Sequence, residues 1–178
     1  PTKPPPFARQ SMSLDELTNV TPESRKFCEG LIKDAELKPL YTPVGLTTTV
    51  LFPGTNGGTN WGGASFDPET RTLYVNSMDV GMVFRQEPRP EGSLVPYRNR
   101  GVGTNSSRFW DPNLYPCQQP PWGHLTAIDL DKGEILWQIA HGETPDNIKN
   151  HPLLKGVNIP RTGRNGIVGT LVTGSLVI

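Results

Sequence analysis

The first 40 residues carry the helical part of the hydrophobic pattern. Between residues 22 and 35, apolar side chains recur three and four positions apart, which places them on one face of a helix. Two helix-start signals are present: Ser13 with Glu16 three residues later, and Thr21 directly before Pro22. The pattern predicts a short helix over 14–18 and a longer one over 22–35 that ends before Pro39. Residues 1–12 are proline-rich and predict an extended lead.

From Tyr41 onward the pattern changes to short apolar and β-branched runs that turn residues separate. The predicted strands are 47–52, 61–66, 72–76, 80–85, 125–130, 134–139, and two strands within 168–178 around Gly174. Four of them form two hairpins, with turns at 67–70 and 131–133. Stretches rich in proline or glycine predict a long insertion over 86–121 and a connecting loop over 140–166.

These elements predict an all-β chain, and hairpins of short strands with a late aromatic residue are typical of propeller blades. The expected fold is a partial β-propeller of about two blades, the last incomplete, with a short helical segment near the N-terminus. We expect an extended lead and helical segment over 1–40, a blade region over 41–140, and a connecting loop with the first strands of the next blade over 141–178. Because the sequence stops within an apolar strand pair, we expect it to be a piece of a larger domain.

Composition narrows the classes of function. The chain has 178 residues with 19 glycines, 19 prolines and 34% hydrophobic residues, which argues against a helical bundle or a coiled coil. Seventeen basic residues balance seventeen acidic ones, so no electrostatic attraction to nucleic acid is expected. No apolar run reaches the roughly 18 residues of a membrane span, and the start of the sequence does not resemble a signal peptide.

The side chains that could carry chemistry show no metal-binding or catalytic spacing. Cys28 and Cys117 lie far apart in sequence and fit either one disulfide or two buried thiols. The histidines are expected on the surface or on strands, without a catalytic role: His124, His141 and His151. Asp67 and Asp129 each follow a predicted strand, where a carboxylate caps a turn.

Residues 127–137 read Ala-x-Asp-x-x-x-Gly-x-x-x-Trp, with Gly133 and Trp137 as the last two fixed positions. This motif resembles the tryptophan-docking motif in the eight-bladed propellers of pyrroloquinoline quinone (PQQ) dehydrogenases. Other stretches resemble the C-terminal half of glucose and alcohol quinoproteins in the same order: 41–43, 51–54, 60–68, 116–123 and 166–174. The resemblance covers residues 13–178 and implies that Trp137 and Gly133 dock one blade on the next.

The resemblance implies a periplasmic dehydrogenase that oxidises a sugar or alcohol with PQQ and Ca²⁺ and passes electrons to a quinone or cytochrome. In that family the Ca²⁺ ligands, the catalytic aspartate and the plate on which PQQ stacks lie in earlier blades. We therefore expect no catalytic residue or metal ligand in this chain, and no activity or tight cofactor binding without the rest of the propeller. The resemblance leaves open the substrate and a membrane anchor elsewhere in the complete protein. The alternative is a non-enzymatic PQQ-like propeller scaffold or binding protein.

Three residues match positions at which the family contacts its cofactor. The resemblance implies that Asn60 donates its amide to a PQQ oxygen and that Trp61 lines the edge of the pocket. Ile167 stands where the family has a backbone contact to PQQ. The alternative is that Trp61 belongs to the blade core and Asn60 to a turn. Some glucose-type relatives have an acidic residue in place of Asn60, which leaves the substrate class open.

The resemblance also bears on the two cysteines. Cys28 and Cys117 stand where glucose-type relatives have cysteines, which implies that they form a disulfide. Such pairs persist in the oxidising periplasm. This cross-link would fix the end of the 86–121 insertion against the predicted helix.

Overall fold

The computed structural model describes residues 2–37 and 39–178, and β-strands dominate this part of the chain. The strands are β1 (Thr49–Leu51), β2 (Ala64–Asp67), β3 (Thr72–Met78), β4 (Met82–Pro88), β5 (Tyr97–Gly101), β6 (Gly123–Asp129) and β7 (Glu134–Ala140). The helices are α1 (Pro22–Leu31) and α2 (Asp146–Lys149), with 3-10 helices at Leu14–Glu16 and Pro152–Leu154. The predicted all-β class, with a short helical segment near the N-terminus, is confirmed.

The chain forms two compact units, each made of segments that are distant in sequence. The four-stranded unit contains the segment that ends at Arg9, together with Asn56–Asp79 and Pro120–Ile178. The disulfide unit contains Gln10–Thr55 and Val80–Gln119. The linear division of the chain at residues 41 and 141 stays a prediction.

In the four-stranded unit, β2, β3, β6 and β7 form an antiparallel sheet in that spatial order. The two predicted hairpins are β2–β3 and β6–β7, and β3 pairs with β6 along seven residues. The two hairpins therefore complete one sheet together. A sheet of four antiparallel strands is the size of one propeller blade.

Aspartates close the turns of both hairpins, as the sequence predicts. Asp67 Oδ1 accepts the backbone N–H of Glu69 at 3.0 Å. Asp129 Oδ1 accepts the N–H groups of the two residues that begin the second turn, at 2.9 and 3.0 Å. Hydrogen bonds from the Thr70 hydroxyl and the Glu69 N–H lower the pKa of Asp67. The N–H and ammonium groups of Lys132 lower the pKa of Asp129, because such bonds favour the charged carboxylate.

The disulfide unit contains a second, three-stranded antiparallel sheet in the order β1, β4, β5. Its hydrophobic core consists of Met12, Leu17, Cys28, Ile32, Val50, Phe52, Val83, Phe109 and Cys117. Cys28 on α1 and Cys117 form a disulfide with a Cα–Cα distance of 5.5 Å, and both residues are fully buried. The structure thus contains the pairing that the resemblance implies, and it joins α1 to the end of the insertion.

Helix α1 begins as predicted but ends four residues early. The Thr21 side chain accepts the backbone N–H of Ser24 at 3.1 Å and caps the first turn. The helix stops at Leu31 because the following segment pairs with the start of β1: the Glu36 N–H donates to the Thr48 carbonyl at 2.8 Å. The shorter predicted helix over 14–18 is only the 3-10 helix Leu14–Glu16, which is too short to bury an apolar face.

The insertion over 86–121 is not the continuous loop that its proline content predicts. Strand β4 continues to Pro88, and β5 pairs with it from Tyr97 to Gly101. The residues of β5 are Tyr-Arg-Asn-Arg-Gly, which lack the apolar alternation by which a strand is recognised. Cross-strand ion pairs to Glu87 contribute to this pairing in place of a buried face.

The last segment also differs from the prediction of two strands around Gly174. Only Val172 and Val177 form a β-bridge, although the backbones of Leu171 and Ile178 exchange two hydrogen bonds of 2.8 Å. Directly before this segment, the Thr170 hydroxyl accepts a hydrogen bond from Ser65 Oγ on β2 and donates one to the Tyr74 carbonyl on β3. Over the part of the chain that the structure describes, no helix is long and apolar enough to cross a membrane.

Candidate functional site

Asn60 and Trp61 lie in the loop that leads into β2, which is an outer strand of the four-stranded sheet. Asn60 organises this loop in three ways. Its Oδ1 accepts the N–H of Trp61 at 2.7 Å, its carbonyl accepts the N–H of Gly63 at 2.9 Å, and its amide donates to the Asn56 carbonyl. Trp61 is 94% exposed, so within this chain its indole is not part of a core.

Residues 162–170 form an extended segment, here called the strap, that runs beside the same sheet. It is fixed along its length by hydrogen bonds from Trp122 N–H to the Thr162 carbonyl (2.8 Å), Arg164 N–H to the His141 carbonyl (2.7 Å), Asn76 Nδ2 to the Gly166 carbonyl (3.3 Å) and Ser65 Oγ to Thr170 Oγ1 (2.8 Å). Ile167 lies in the middle of the strap and is half exposed. The strap is therefore a defined part of the sheet surface.

The loop of Asn60 and the strap meet at Gly62. A Cβ atom built on Gly62 would lie 1.9 Å from the carbonyl oxygen of Val168, so only glycine fits at this position. Gly62 is two residues after Asn60, and Val168 directly follows Ile167. The structure thus brings all three sequence-predicted site residues to one edge of the sheet.

A buried carboxylate–imidazole pair lies under the start of the strap, and the sequence did not indicate it. Asp79 Oδ2 is 2.8 Å from Nδ1 of His124, and both side chains are largely buried. Asp79 Oδ1 also accepts the backbone N–H of Arg9 at 2.8 Å. The two residues meet because Ser77 pairs with His124 in the register of β3 and β6, which brings the chain just after β3 alongside His124. The sequence feature that could have indicated this pair is Asp79, a charged residue directly after the buried end of β3.

Trp137 lies on β7, the other outer strand of the sheet, and Gly133 lies in the turn directly before β7. Trp137 is 39% exposed, and its ring centroid lies 5.9 Å from that of Tyr74. Gly133 has a φ of +66°, a conformation that glycine adopts without strain. An exposed tryptophan on an outer strand is available for packing against another blade, and the docking role of both residues stays a prediction.

The other histidines that the structure describes have structural surroundings. Within residues 2–37 and 39–178, no cluster of three His, Cys, Asp or Glu side chains could hold a metal ion. Burial lowers the pKa of His141, and the positive charge of Arg161 adds to this effect. His151 caps the 3-10 helix Pro152–Leu154, where its Nδ1 accepts the N–H of Leu153.

Comparison with known families defines the class of this propeller-type sheet. Residues 1–178 match the family model described as PQQ, glucose/ethanol/alcohol dehydrogenase, β-propeller domain, and the chain belongs to this family. It is similar to a quinate/shikimate dehydrogenase (quinone) of Acinetobacter baylyi, with 30% identity over 158 residues covering 80% of this chain and 20% of that protein. It is also similar to a probable quinate dehydrogenase (quinone) of Xanthomonas campestris pv. juglandis, with 31% identity covering 99% of this chain and 25% of that protein.

A third relative is quinoprotein glucose dehydrogenase A of Acinetobacter calcoaceticus, with 27% identity covering 95% of this chain and 23% of that protein. The chain therefore spans a quarter or less of the length of these relatives. The family match confirms the resemblance to the PQQ dehydrogenases. The roles of Asn60, Trp61 and Ile167 stay predictions, because sequence similarity to whole enzymes does not identify individual contacts.

The edge formed by Asn60, Trp61 and the strap fits what PQQ requires of a protein. PQQ is planar and carries carboxylates and quinone oxygens, so it needs an apolar face and hydrogen-bond donors. Trp61 offers an exposed aromatic face. An amide NH₂ carries two donors, and the bond from Asn60 to the Asn56 carbonyl uses one of them. The contact between Gly62 and Val168 fixes the position of these groups relative to Ile167.

Proposed function

We propose that this chain contributes one blade and a cofactor-contacting edge to a PQQ-dependent dehydrogenase that oxidises a hydroxyl group of a sugar or another polyol. Support comes from the family match along the whole chain and from relatives named as quinate, glucose and glycerol dehydrogenases. The names of those relatives share one kind of substrate, a carbon compound with several hydroxyl groups. We further propose a periplasmic location, a Ca²⁺ ion held by residues outside this chain, and a quinone or cytochrome as electron acceptor.

The observation that carries the proposal is the juxtaposition of Trp61 and the strap. Trp61 is 94% exposed in this chain, so its aromatic face is free to contact a group from outside the chain. Here it stands one residue from a glycine that the strap backbone contacts directly. The loop and the strap are two fixed backbone segments, and the exposed indole stands beside their contact, where it can position a flat ligand.

When bound, PQQ supplies the redox chemistry by accepting a hydride from the carbon that bears the substrate hydroxyl. The residues of this chain bind and orient the cofactor. The second amide donor of Asn60 would bond an oxygen of PQQ, while the first holds the loop through Asn56. Trp61 would cover an edge of the ring system and exclude water there, and the backbone at Ile167 would supply a further polar contact.

The proposal can be tested by cofactor binding to the complete apoenzyme that carries this chain. Asn60→Ala removes a hydrogen bond to a charged ligand, so we expect the Kd for PQQ in an absorbance titration to rise about ten- to a hundred-fold. Asn158→Ala, at an exposed asparagine of the same unit, is the control and should leave the Kd unchanged. Trp61→Phe keeps a flat face and should weaken binding less than Trp61→Ala. Unchanged Kd values for both Asn60→Ala and Trp61→Ala would refute the assignment.

A further inference from the structure

The β4–β5 hairpin exposes an apolar tip that the proposed dehydrogenase activity does not explain. Between the two strands the chain turns at residues 90–93, where the Ser93 N–H and Oγ both donate to the Pro90 carbonyl, at 3.2 and 2.7 Å. Leu94 follows this turn and is 99% exposed, and Val95 and Tyr97 are each exposed by nearly half. Three large apolar side chains thus stand at the end of a projecting hairpin.

The strands behind this tip are strongly basic. Residues 82–101 contain four arginines and two glutamates, which give this hairpin a net charge of +2 in a chain whose overall charge is zero. Arg85 and Arg100 stand directly opposite each other in the strand register. Like charges in that position destabilise a sheet unless an anion compensates them.

Within the hairpin, one glutamate only partly compensates the charges of these arginines. Glu87 lies 2.9 Å from Arg85, 3.4 Å from Arg98 and 3.3 Å from Arg100, so one carboxylate serves three guanidinium groups. All three arginine side chains remain about half exposed. This face therefore keeps an excess of guanidinium groups, whose forked N–H donors match the geometry of phosphate oxygens.

The order of side chains along the hairpin matches a lipid surface. The turn at residues 90–93, which carries Glu91, is the end of the hairpin, and Leu94 and Val95 directly follow it. Tyr97 begins β5, and Arg98 and Arg100 lie about 3 and 10 Å beyond it at 3.3 Å per residue. A peripheral anchor buries apolar side chains roughly 5–10 Å deep, with aromatic residues at the interface and cations at the level of the phosphates. An acidic protein surface would complement the arginines but would leave Leu94 without a partner.

We propose that the β4–β5 hairpin is an anchor for an anionic phospholipid surface: Leu94 and Val95 enter the headgroup–acyl boundary, and Arg98 and Arg100 bind phosphates. The contact is peripheral and reversible, because one hairpin tip with a small basic patch provides weak membrane affinity. It is independent of the PQQ site, which lies in the other unit.

The test is co-sedimentation of the 178-residue chain with vesicles at 0.1 M salt. We expect at least tenfold stronger partitioning to vesicles of phosphatidylethanolamine with 30% phosphatidylglycerol than to phosphatidylcholine vesicles. The double variant R98Q/R100Q should lose about 25-fold, since each cation near an anionic surface contributes about fivefold. Leu94→Ser should lose severalfold at unchanged charge, and its full exposure means that folding is unaffected.

Matched controls lie in the other unit: Leu153→Ser at an exposed leucine and Lys155→Gln at an exposed lysine should both bind like the wild type. Equal partitioning to the two kinds of vesicle, or variants of the hairpin that bind like the wild type, would overturn the proposal. A parallel binding experiment with soluble polyglutamate tests the alternative partner, an acidic polypeptide. Binding to polyglutamate that exceeds vesicle binding and does not depend on Leu94 would identify an acidic polypeptide as the partner and overturn the lipid assignment.

Discussion

At the scale of single residues, glycines rather than charged side chains define the candidate site. Because Gly62 has no side chain, the strap backbone can approach the loop of Asn60 and Trp61 so closely that a Cβ atom would not fit between them. Sequence alone indicated Asn60, Trp61 and Ile167 through their resemblance to a family pattern. It could not indicate that the three lie together, because that depends on a backbone contact between segments about 100 residues apart.

The first prediction concerns this glycine. We expect Gly62→Ala to destabilise the four-stranded unit by about 1–3 kcal/mol, because the added methyl group forces the strap away from the loop. Urea unfolding, followed by tryptophan fluorescence, measures the effect. Gly174→Ala, where a Cβ would meet nothing within 4 Å, is the control and should stay within about 0.5 kcal/mol of the wild type. Equal stability of the two variants would show that the strap does not pack as described.

At the scale of elements, hairpins with marked turns were predictable and polar strands were not. The turns at Asp67 and Asp129 have both a carboxylate cap and flanking apolar residues, and both hairpins formed as expected. Strand β5 carried no hydrophobic alternation, so its proline-rich surroundings predicted a loop instead. Helix α1 was predicted too long because the pairing of Glu36 with the start of β1 is a tertiary contact that no local pattern reveals.

The second prediction concerns the link between α1 and the insertion. The disulfide closes a loop with a sequence separation of 89, and in the chain-entropy model such a link stabilises by roughly 4–5 kcal/mol. We expect the double variant C28A/C117A to lose about that much stability in the disulfide unit, measured by urea unfolding. Titration with a thiol reagent under denaturing conditions, without reductant, should find no free thiol in the wild type. Two free thiols would contradict the disulfide.

The third prediction is a pH dependence of the β4–β5 hairpin. Hydrogen bonding to Arg85, together with Arg100 and Arg98, lowers the pKa of Glu87 below its ordinary value of 4.5. A carboxyl group whose pKa is lower in the folded state stabilises that state above its ordinary pKa, and the contribution is lost as the pH falls through the lowered value. The protection factors of the amides in β4 and β5, which are their intrinsic exchange rates divided by the observed ones, should therefore fall specifically below about pH 4.5.

Glu87→Gln is the matched variant for this dependence, since it keeps the shape of the side chain and removes the charge. In that variant we expect the protection factors in β4 and β5 to be lower at neutral pH and to show no further decrease in acid. The same decrease in acid in wild type and variant would show that another group controls the hairpin.

At the scale of the whole molecule, the chain holds one blade-like sheet, while its relatives are four or more times as long. Fold class and family were predictable because the docking motif and the hairpin turns are local in sequence. The two units were not, because each combines segments from separate parts of the chain.

The fourth prediction concerns the activity of the isolated chain. The isolated chain should neither bind PQQ tightly nor oxidise glucose or ethanol, since the resemblance implies that the catalytic aspartate and the Ca²⁺ ligands lie in blades outside this chain. A dye-linked assay with added PQQ and Ca²⁺ measures turnover directly. Turnover by the purified chain that exceeds a heat-denatured control would refute the expectation.

The proposed contact between Trp61 and PQQ can be measured directly in the complete protein. Fluorine NMR of the cofactor-free protein labelled with 5-fluorotryptophan tests it, with the Trp61 signal identified as the one missing from Trp61→Phe. We expect this signal to shift when PQQ is added, while the signal of Trp137 on the far strand of the sheet stays in place. A Trp61 signal that does not move at saturating PQQ would refute the contact.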